Sequence, residues 1–330
     1  MYIKGEDMKQ YDVVALGELL IDFIENGKSE QGNSLFEANP GGAPCNVLAM
    51  LSKLGHKTAF IGKVGNDLFG VQLKKAIESV GIDSKYLCMD NQVNTTLAFV
   101  KNNIEGDREF SFYRNPGADM MLVESDISEE VIKQAKIFHF GTLSMTHDNV
   151  RKATKKAISI AEKNKVIISF DPNLRFQLWD SLSQARNQVL YGLEHCNVLK
   201  ISDNEIQWLT GESDFTKGVK WIYNRYQTPL IFVSMGKQGS RVYYDGKMMV
   251  DKRPFLQKNT IDTTGAGDTF YGCVLHYICK KEDIVFTKEQ FEEMLTFANA
   301  AASIIITKKG ALSVMPDYTD ICQLIEKNKE

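Results

Sequence analysis

Three small residues, Gly265, Ala266 and Gly267, stand directly before Asp268 and a helical pattern that begins near it. Small residues leave backbone N–H groups uncovered, and the first N–H groups of a helix lack partners within it. Together with the positive end of the helix dipole, these groups predict a cradle for an anion such as phosphate. Asp268 could then accept a proton from a hydroxyl while the amides hold the transferred group.

A helix cap is the alternative interpretation of Asp268, because aspartate often caps helices. It does not explain the Gly-Ala-Gly run, so we favour a phosphate-handling loop. A P-loop is excluded, since Gly-x4-Gly-Lys-Ser/Thr does not occur, and Gly272 is misplaced for a dinucleotide fingerprint after Gly265 and Gly267. His-Glu-x-x-His and Gly-x-Ser-x-Gly are absent as well. Hydride transfer and hydrolysis therefore have no motif to support them.

Short β-rich runs alternate with helical patterns along the chain, at residues 12–16, 58–62, 137–140, 166–170, 197–201 and 230–234. This alternation indicates an α/β fold with a mostly parallel sheet covered by helices on both faces. Two segments, about 23–40 and 95–115, break the pattern and could form a small β lid; two surface excursions are the alternative. No linker is visible, so we expect a single domain over residues 1–330 with the lid segments inserted in it.

Composition excludes several classes of protein. The 330 residues are 43% hydrophobic and 25% charged, and the net charge of −3 offers no positive field for nucleic acid. The six cysteines lack Cys-x-x-Cys spacing, which favours reduced thiols over zinc. The longest apolar stretch, 13–24, is interrupted by Glu18 and Asp22 and is too short for a membrane span. We expect a cytoplasmic protein with neither nucleic-acid nor membrane partners.

The chain resembles the ribokinase-like (PfkB) carbohydrate kinases. The run at residues 262–270 is similar to that family's C-terminal signature, and Gly41-Gly42-Ala43-Pro44-Cys45-Asn46 to its sugar-side signature. Gly65-Asn66-Asp67-x-x-Gly70 fits a third pattern, and the matches extend from Gly17 to Pro316. The resemblance implies a three-layer α/β/α sandwich with a mostly parallel central sheet and a small β-sheet lid.

Several features are most similar to fructokinases within that family, including Ala43-Pro44 and the run Asp171-Pro172-Asn173-Leu174-Arg175. The resemblance implies an ATP-dependent kinase that transfers the γ-phosphoryl group to the 6-hydroxyl of D-fructose, with Asp268 as general base. The run ending in Arg175 also recurs in 2-keto-3-deoxygluconate kinases. That kinase, or another ribokinase-like sugar or nucleoside kinase, is the alternative, and a non-enzymatic sugar sensor is a third.

Residue roles follow from the resemblance by position. The amides of Gly265, Ala266 and Gly267 would stabilise the transferring phosphoryl group, and sugar contacts would come from Asp22, Gly41, Gly42, Asn46, Arg114 and Arg175. Structural roles are open for four of these residues. They are a strand-end cap for Asp22, a helix N-cap for Asn46, an ion pair for Arg114 and a pairing with Asp171 for Arg175.

The nucleotide side of the site maps to other segments. The turn with Ser234, Gly236 and Gly239 would hold ATP phosphates and ribose, and Asn299 would lie near the adenine. Lys200, at a strand end, could meet a phosphate, with a solvated lysine as the alternative.

Two ions are implied as well. Glu205 would arrange Mg²⁺ through water, although its usual Asn partner is here Ser202. Asp262, Thr264 and Gly310 match the positions that hold a monovalent cation, K⁺, in relatives. Aromatic lid strands favour pairing with a second subunit, so we expect a homodimer formed through the lid; the aromatic residues are Phe99, Phe110, Phe112 and Tyr113.

Overall fold

A computed structural model describes residues 9–102 and 108–328 of the chain. Its strands are β1 Tyr11–Leu16, β2 Leu20–Lys28, β3 Ser34–Gly41, β4 Thr58–Gly65, β5 Ile82–Asp83, β6 Leu87–Asp90, β7 Leu97–Asn102, β8 Arg108–Tyr113, β9 Ala135–Gly141, β10 Ile167–Asp171, β11 Val198–Ser202, β12 Leu230–Ser234, β13 Ser240–Tyr244 and β14 Lys247–Lys252. Its α-helices are α1 Ala43–Lys53, α2 Leu68–Ser79, α3 Glu129–Lys133, α4 Asp148–Lys163, α5 Leu182–His195, α6 Asp203–Thr210, α7 Phe215–Tyr226, α8 Ala266–Cys279, α9 Lys288–Ile305 and α10 Tyr318–Lys327.

The main sheet has the order β14-β13-β12-β11-β10-β9-β1-β4-β5, and β6 pairs with β4 beside β5. Pairing is parallel from β12 to β5, whereas β12, β13 and β14 pair antiparallel at one edge. All six β-rich runs found in the sequence lie in this sheet. The prediction of a mostly parallel sheet is confirmed, and the antiparallel hairpin β13–β14 is an addition that the sequence analysis missed.

Helices cover both faces of the sheet and create two hydrophobic cores. In β1, Val13 and Ala15 pack into one core while Val14 and Leu16 pack into the other, because successive side chains of a strand point to opposite faces. Helices α1, α2, α8, α9 and α10 contribute to the first core and α3 to α7 to the second. The three-layer α/β/α sandwich expected from the resemblance is confirmed.

A separate four-stranded sheet, which we call the lid, has the order β3-β2-β7-β8. Strands β2 and β7 are parallel, and the two outer pairs are antiparallel. Phe23 stacks on Phe99 across this sheet with ring centroids 4.9 Å apart. The lid begins at Leu20, earlier than the predicted segment 23–40, and residues 103–107 of the second segment lie outside the described residues. The single-domain assignment stays a prediction.

None of the helices within the described ranges is long and apolar enough to cross a lipid bilayer.

Candidate active site

Two cavities meet at the start of helix α8. The lid-side cavity has a volume of about 220 Å³ and is lined by lid residues such as Asp22 and by Asp268. The hairpin-side cavity has a volume of about 310 Å³ and is lined by residues of β12 to β14 and α9. Thr263 and Gly267 line both cavities. A ligand in one cavity therefore lies next to a ligand in the other at this loop.

A larger cavity, of about 580 Å³, lies near the amino ends of β10, β11 and β12. None of the predicted site residues lines it, and it lies at the end of the sheet opposite the loop that precedes α8. Ligands of parallel α/β sheets bind at the carboxyl ends of the strands. We therefore assign the chemistry to the two smaller cavities.

The loop before α8 has the conformation of an anion cradle. Gly265 is the N-cap of α8 with φ of +76°, a left-handed value that favours glycine, and a Cβ there would lie 2.5 Å from the Cβ of Ala311. The helix begins at Ala266, two residues before the predicted start. Asp268 is its third residue rather than its cap, so the cap interpretation is wrong. The first helical amides stand at the junction of the two cavities.

The Asp268 carboxylate is buried and held by two amides. Nδ2 of Asn46 donates to Oδ2 at 2.8 Å, and Nδ2 of Asn173 donates to Oδ1 at 3.4 Å. Burial raises the pKa of Asp268, while the hydrogen bond from Asn46 and the charges of Lys200 and Arg175 act against that rise. The side chain is therefore a better proton acceptor than an exposed aspartate, yet still ionisable.

Helix α1 carries Asn46 into the site. Its N-cap is Gly42, so Asn46 lies inside the helix and its alternative role as an N-cap is wrong. Gly42 has φ of +138°, and a Cβ there would lie 2.4 Å from the carbonyl oxygen of Glu18. A Cβ on Gly41 would lie 2.4 Å from Oδ2 of Asp22. The two glycines thus permit close approach between α1, the β1–β2 loop and the lid.

All but one of the predicted sugar residues lie at the lid-side cavity. The cavity is lined by Asp22, Gly42, Asn46 and Arg175, and Gly41 ends strand β3 next to Asp22. Asp22 lies within β2, so its alternative role as a strand-end cap is wrong.

Arg114 does not line the cavity. Its guanidinium is bonded to Oδ2 of Asp119 at 2.7–2.8 Å, to Oγ1 of Thr146 at 2.8 Å and to the carbonyl oxygen of Leu143 at 3.1 Å. Both side chains of the Arg114–Asp119 pair are 3% exposed. The alternative of an ion pair holds in this arrangement, although the pair is buried rather than on the surface.

Arg175 reaches Asp268 through Asn173. Its guanidinium donates to Oδ1 of Asn173 at 2.8 Å, and the amide nitrogen of Asn173 faces Asp268. The alternative pairing of Arg175 with Asp171 does not occur, because Asp171 is paired with Lys200 at 2.9 Å. Arg175 therefore contributes a positive charge to the cavity that holds Asp268.

Lys200 lies in the middle of β11 rather than at the predicted strand end, and it is buried rather than solvated. It lines the lid-side cavity, not the hairpin-side cavity where the nucleotide role would place it. Its Nζ is 3.2 Å from the position that a Cβ on Gly267 would occupy. Burial lowers the pKa of Lys200, but the negative charges of Asp171 and Glu205 outweigh this and raise it. An ammonium group thus stands beside the anion cradle.

Ser202 and Glu205 form a reciprocal cap on helix α6. Oε2 of Glu205 accepts from the backbone N–H and the hydroxyl of Ser202 at 2.8 and 2.7 Å, and Oε1 accepts from the N–H of Leu174 at 2.9 Å. Neither residue lines the two cavities. Within the described part of the chain, no group of three or more His, Cys, Asp or Glu side chains could hold a metal ion.

The predicted nucleotide residues come together in the hairpin-side cavity, which is lined by Ser234, Gly236, Gly239 and Asn299. Oδ1 of Asn299 accepts from the Ser240 hydroxyl at 2.9 Å, and its Nδ2 donates to the carbonyl of Arg253 at 3.2 Å. The remaining wall includes apolar side chains such as Phe255 and Phe270. A flat apolar ring with polar edges fits such walls.

The predicted cation residues also come together. Asp262 accepts from the N–H of Thr264 at 2.8 Å through Oδ1 and from the N–H of Gly310 at 3.1 Å through Oδ2. Asp262 is buried directly upstream of the anion cradle. One carboxylate thus ties the loop before α8 to the turn after α9.

Sequence reasoning missed Glu18 and Asn173 as site residues. Glu18 is 4% exposed, lines the lid-side cavity and accepts from the N–H of Ala43 at 2.8 Å; burial raises its pKa to about 7. Its signal was an acidic side chain inside the apolar run 13–24, which also contains Asp22. Asn173 has φ of +43°, and its position in the run 171–175 was the only available hint.

Comparisons with known proteins agree with this geometry. Residues 10–317 match the pfkB family carbohydrate kinase. Fructokinase-1 of Zea mays is 38% identical over 320 residues, which cover 96% of this chain and 98% of that protein. A fructokinase structure with bound ATP from Xylella fastidiosa is 26% identical with a TM-score of 0.86, covering 97% of this chain and 99% of that one. A Vibrio cholerae O395 fructokinase in fructose, ADP and calcium ion bound form is 29% identical with a TM-score of 0.86, covering 96% and 99%.

Proposed function

Because the chain belongs to the pfkB family of carbohydrate kinases, we propose that it is an ATP-dependent fructokinase. It transfers the γ-phosphoryl group to the 6-hydroxyl of D-fructose with Asp268 as general base. One observation carries this proposal: the buried Asp268 carboxylate lies beside a helix N-terminus that two cavities share. The fructokinase relatives, including one determined with fructose and ADP, support the choice of sugar.

The two cavities suit the two substrates. D-fructose occupies the lid-side cavity, where Asp22 and Asn46 can pair with neighbouring hydroxyls and Asp268 can reach the 6-hydroxyl. ATP occupies the hairpin-side cavity, with its γ-phosphate at Gly267. Such a placement makes the reaction intramolecular in effect, which is the main contribution of a kinase to phosphoryl transfer.

Charge stabilisation comes from groups around the cradle. The N–H groups of Gly265, Ala266 and Gly267 hold the transferring phosphoryl group, and the Lys200 ammonium faces the same point. Asp268 removes the proton from the 6-hydroxyl as the oxygen attacks phosphorus. The lid covers the sugar and excludes water, so that ATP is not hydrolysed.

Two ions fit residues around the site. Glu205 lines neither cavity and already accepts three protein hydrogen bonds, so it would act on Mg²⁺ only through water. Mg²⁺ supplies positive charge to the ATP phosphates when bound. Asp262 would supply a carboxylate to K⁺, a type of ligand that hard cations prefer, and the N–H groups of Thr264 and Gly310 hold that carboxylate beside the loop.

A kinase for an acid sugar such as 2-keto-3-deoxygluconate is the second candidate. The Arg175 guanidinium lines the lid-side cavity and is a group that binds carboxylates. An Arg175→Ala variant that loses activity only on acid sugars would favour this candidate. An equal loss of activity on fructose and on acid sugars would instead show that Arg175 acts on the Asp268 site whichever sugar is bound, and would not favour this candidate.

The lid is also the proposed dimer contact. Leu35 and Phe36 are 47% and 43% exposed on β3, and Tyr113 is 65% exposed on β8. Exposed apolar side chains on the edge strands of a small sheet favour pairing with a second copy. Light scattering should give twice the chain mass, and a Phe36→Glu variant should give the chain mass.

The substrate assignment is tested by a panel of sugars with ATP. D-fructose should give the highest kcat/KM, and ¹³C NMR of the product should show phosphate on O6. Faster turnover of an acid sugar would transfer the assignment to the second candidate. No ADP formation with any sugar would contradict a catalytic role altogether.

A further inference from the structure

A small third cavity adjoins Asp268. Its volume is about 10 Å³, and its polar lining side chains are Glu18, His139, Thr142, Asp171, Asn173 and Asp268. A buried water needs roughly 10–15 Å³ of such space and two to four polar partners. The cavity therefore has the size and the lining of a site for one water molecule.

Asp171 in the wall of this cavity has one paired oxygen and one unpaired oxygen. Oδ2 accepts from Nζ of Lys200 at 2.9 Å. Oδ1 is fully buried and has no hydrogen-bond partner among the residues that the structure describes. An unsatisfied buried carboxylate oxygen is costly, and ordered water commonly satisfies such atoms. Asp171 is thus the group in the wall that most needs the water.

The other polar groups of the wall already have protein partners. Oγ1 of Thr142 donates to the carbonyl of Pro172, and Nδ1 of His139 lies 3.1 Å from the hydroxyl of Ser169. Burial lowers the pKa of His139 to about 3, so its ring is neutral. Glu18 accepts from a backbone N–H, as described above.

The electrostatic surroundings make Asp171 a proton acceptor. Burial raises its pKa to about 7; the Lys200 ammonium opposes this, and the negative charges of Glu205 and Asp268 add to it. Asp268, whose pKa burial also raises, faces the charges of Lys200 and Arg175. Both carboxylates therefore bind a proton more readily than exposed aspartates.

We propose that one ordered water in this cavity joins Asp268 to Asp171, and that Asp171 receives the proton which Asp268 takes from the sugar. The inference rests on the proposed function. Asp171 is a positioning residue, because it acts on the reaction only through the water and Asp268. Lys200 balances the charge of Asp171 while that carboxylate is ionised.

The proton transfer balances at each step. The 6-hydroxyl loses its proton to Asp268 as its oxygen bonds to the γ-phosphorus and the bond from that phosphorus to ADP breaks. Asp268 then gives a proton to the water, and the water gives one of its own protons to Oδ1 of Asp171. The water is regenerated, Asp268 is ionised again, and Asp171 is neutral. After product release, the proton returns by the same water to the open cavity and solvent.

A crystal structure of the wild-type protein at a resolution that shows ordered water tests the site. The expected result is a water within hydrogen-bond distance of Oδ1 of Asp171 and of the Asp268 carboxylate. A cavity without electron density would overturn the proposal. That outcome is independent of which sugar the enzyme phosphorylates.

Kinetics of Asp171→Asn test the proton transfer. We expect kcat to fall on the order of tenfold with KM for fructose little changed, because a proton acceptor is lost but Asp268 stays. The acidic midpoint of the kcat profile should move to lower pH, since removal of a neighbouring negative charge lowers the pKa of Asp268. An unchanged kcat would overturn the transfer whatever happens to the midpoint.

Ser169→Ala is the matched control. Ser169 lies two residues earlier on β10, is equally buried, and bonds to His139 and Tyr271 without lining the cavity. It should lose thermal stability while keeping the wild-type pH midpoint. If the pH midpoint moved as far in Ser169→Ala as in Asp171→Asn, the shift would come from non-specific destabilisation of this part of the protein, and the proposal would be contradicted. Wild-type activity on fructose, measured alongside, reports on the proposed function separately.

Discussion

Nδ2 of Asn46 lies 2.8 Å from Oδ2 of Asp268, although the two residues are 222 positions apart in the sequence. This contact joins α1 to α8, and the N-cap of each helix is a glycine with positive φ. The amide thus fixes the carboxylate that the proposed chemistry requires and partly offsets the effect of burial on its pKa.

Asn46→Asp should move the acidic limb of activity to higher pH. The substitution keeps the size of the side chain but replaces a donor with a negative charge, so the pKa of Asp268 rises further. Because the ionised base is the active form, more activity is lost as pH falls. We expect a shift of about one pH unit or more in the kcat/KM midpoint. An unshifted midpoint would show that Asn46 does not act on Asp268.

Gly267→Ala should lower turnover without lowering stability. A Cβ at this position would lie 3.2 Å from Nζ of Lys200, at the junction of the two cavities, so a small shift of the lysine accommodates it. Alanine within a helix is favoured over glycine by roughly 0.5–1 kcal/mol, whereas misplacement of the phosphate by about 1 Å can cost up to about 10²-fold in rate.

Gly265→Ala is the comparison for that variant. Its left-handed φ and its contact with Ala311 make any side chain strained, at a cost of about 1–3 kcal/mol. Thermal unfolding and initial rates should separate the two variants. Equal unfolding temperatures for both would contradict the conformation of the cradle.

Much of the fold was predictable because it depends on local pattern. The six β-rich runs are almost continuously apolar, and a strand of that kind is buried only in a sheet covered on both faces. Asp268 follows a Gly-Ala-Gly run, and such a run of small residues indicates a loop that exposes its backbone N–H groups. The start of α8 was misplaced by two residues because glycine is a poor helix former in isolation. The boundary lies at Gly265, whose left-handed φ and closeness to Ala311 a single sequence does not reveal.

The buried charges were not predictable in the same way. Nothing in the spacing of Arg114 and Asp119, five residues apart, indicates that both are fully enclosed. Asp171 and Lys200 can pair because β10 and β11 are adjacent parallel strands, and their register aligns Phe170 with Leu199, the residues directly before the pair. Which charged residues pair in the core depends on the order of the strands in the sheet, and this order cannot be deduced from a single sequence.

Arg114→Met should primarily destabilise the protein. It leaves Asp119 as an uncompensated buried charge, which costs about 3–5 kcal/mol. Urea unfolding measures the loss, and adding Asp119→Leu should recover part of it, because a buried pair can be replaced by apolar residues. If Arg114→Met kept full stability and raised KM for the sugar, the result would instead support the prediction that Arg114 contacts the sugar.

Asp262→Asn should remove the response to potassium. The wild-type rate should rise with KCl and not with N-methylglucamine chloride at equal ionic strength, because K⁺ is small enough to bind at the Asp262 carboxylate and N-methylglucamine is not. In the variant, both salts should act alike. A wild-type rate that is the same in both salts would contradict a monovalent cation site at this loop.

Turnover of Asp268→Asn is the most direct test of the account, with Asp251→Asn as control because Asp251 pairs with Arg241 on the β13–β14 hairpin. The folded-state pKa of Asp268 is raised, so its ionised form costs stability at pH values above that pKa, and the amide removes this cost. We predict that kcat for fructose falls by at least about 10²-fold. The unfolding temperature at neutral pH should be equal to or above that of the wild type. Near wild-type turnover in Asp268→Asn would contradict the assignment of Asp268 as the base.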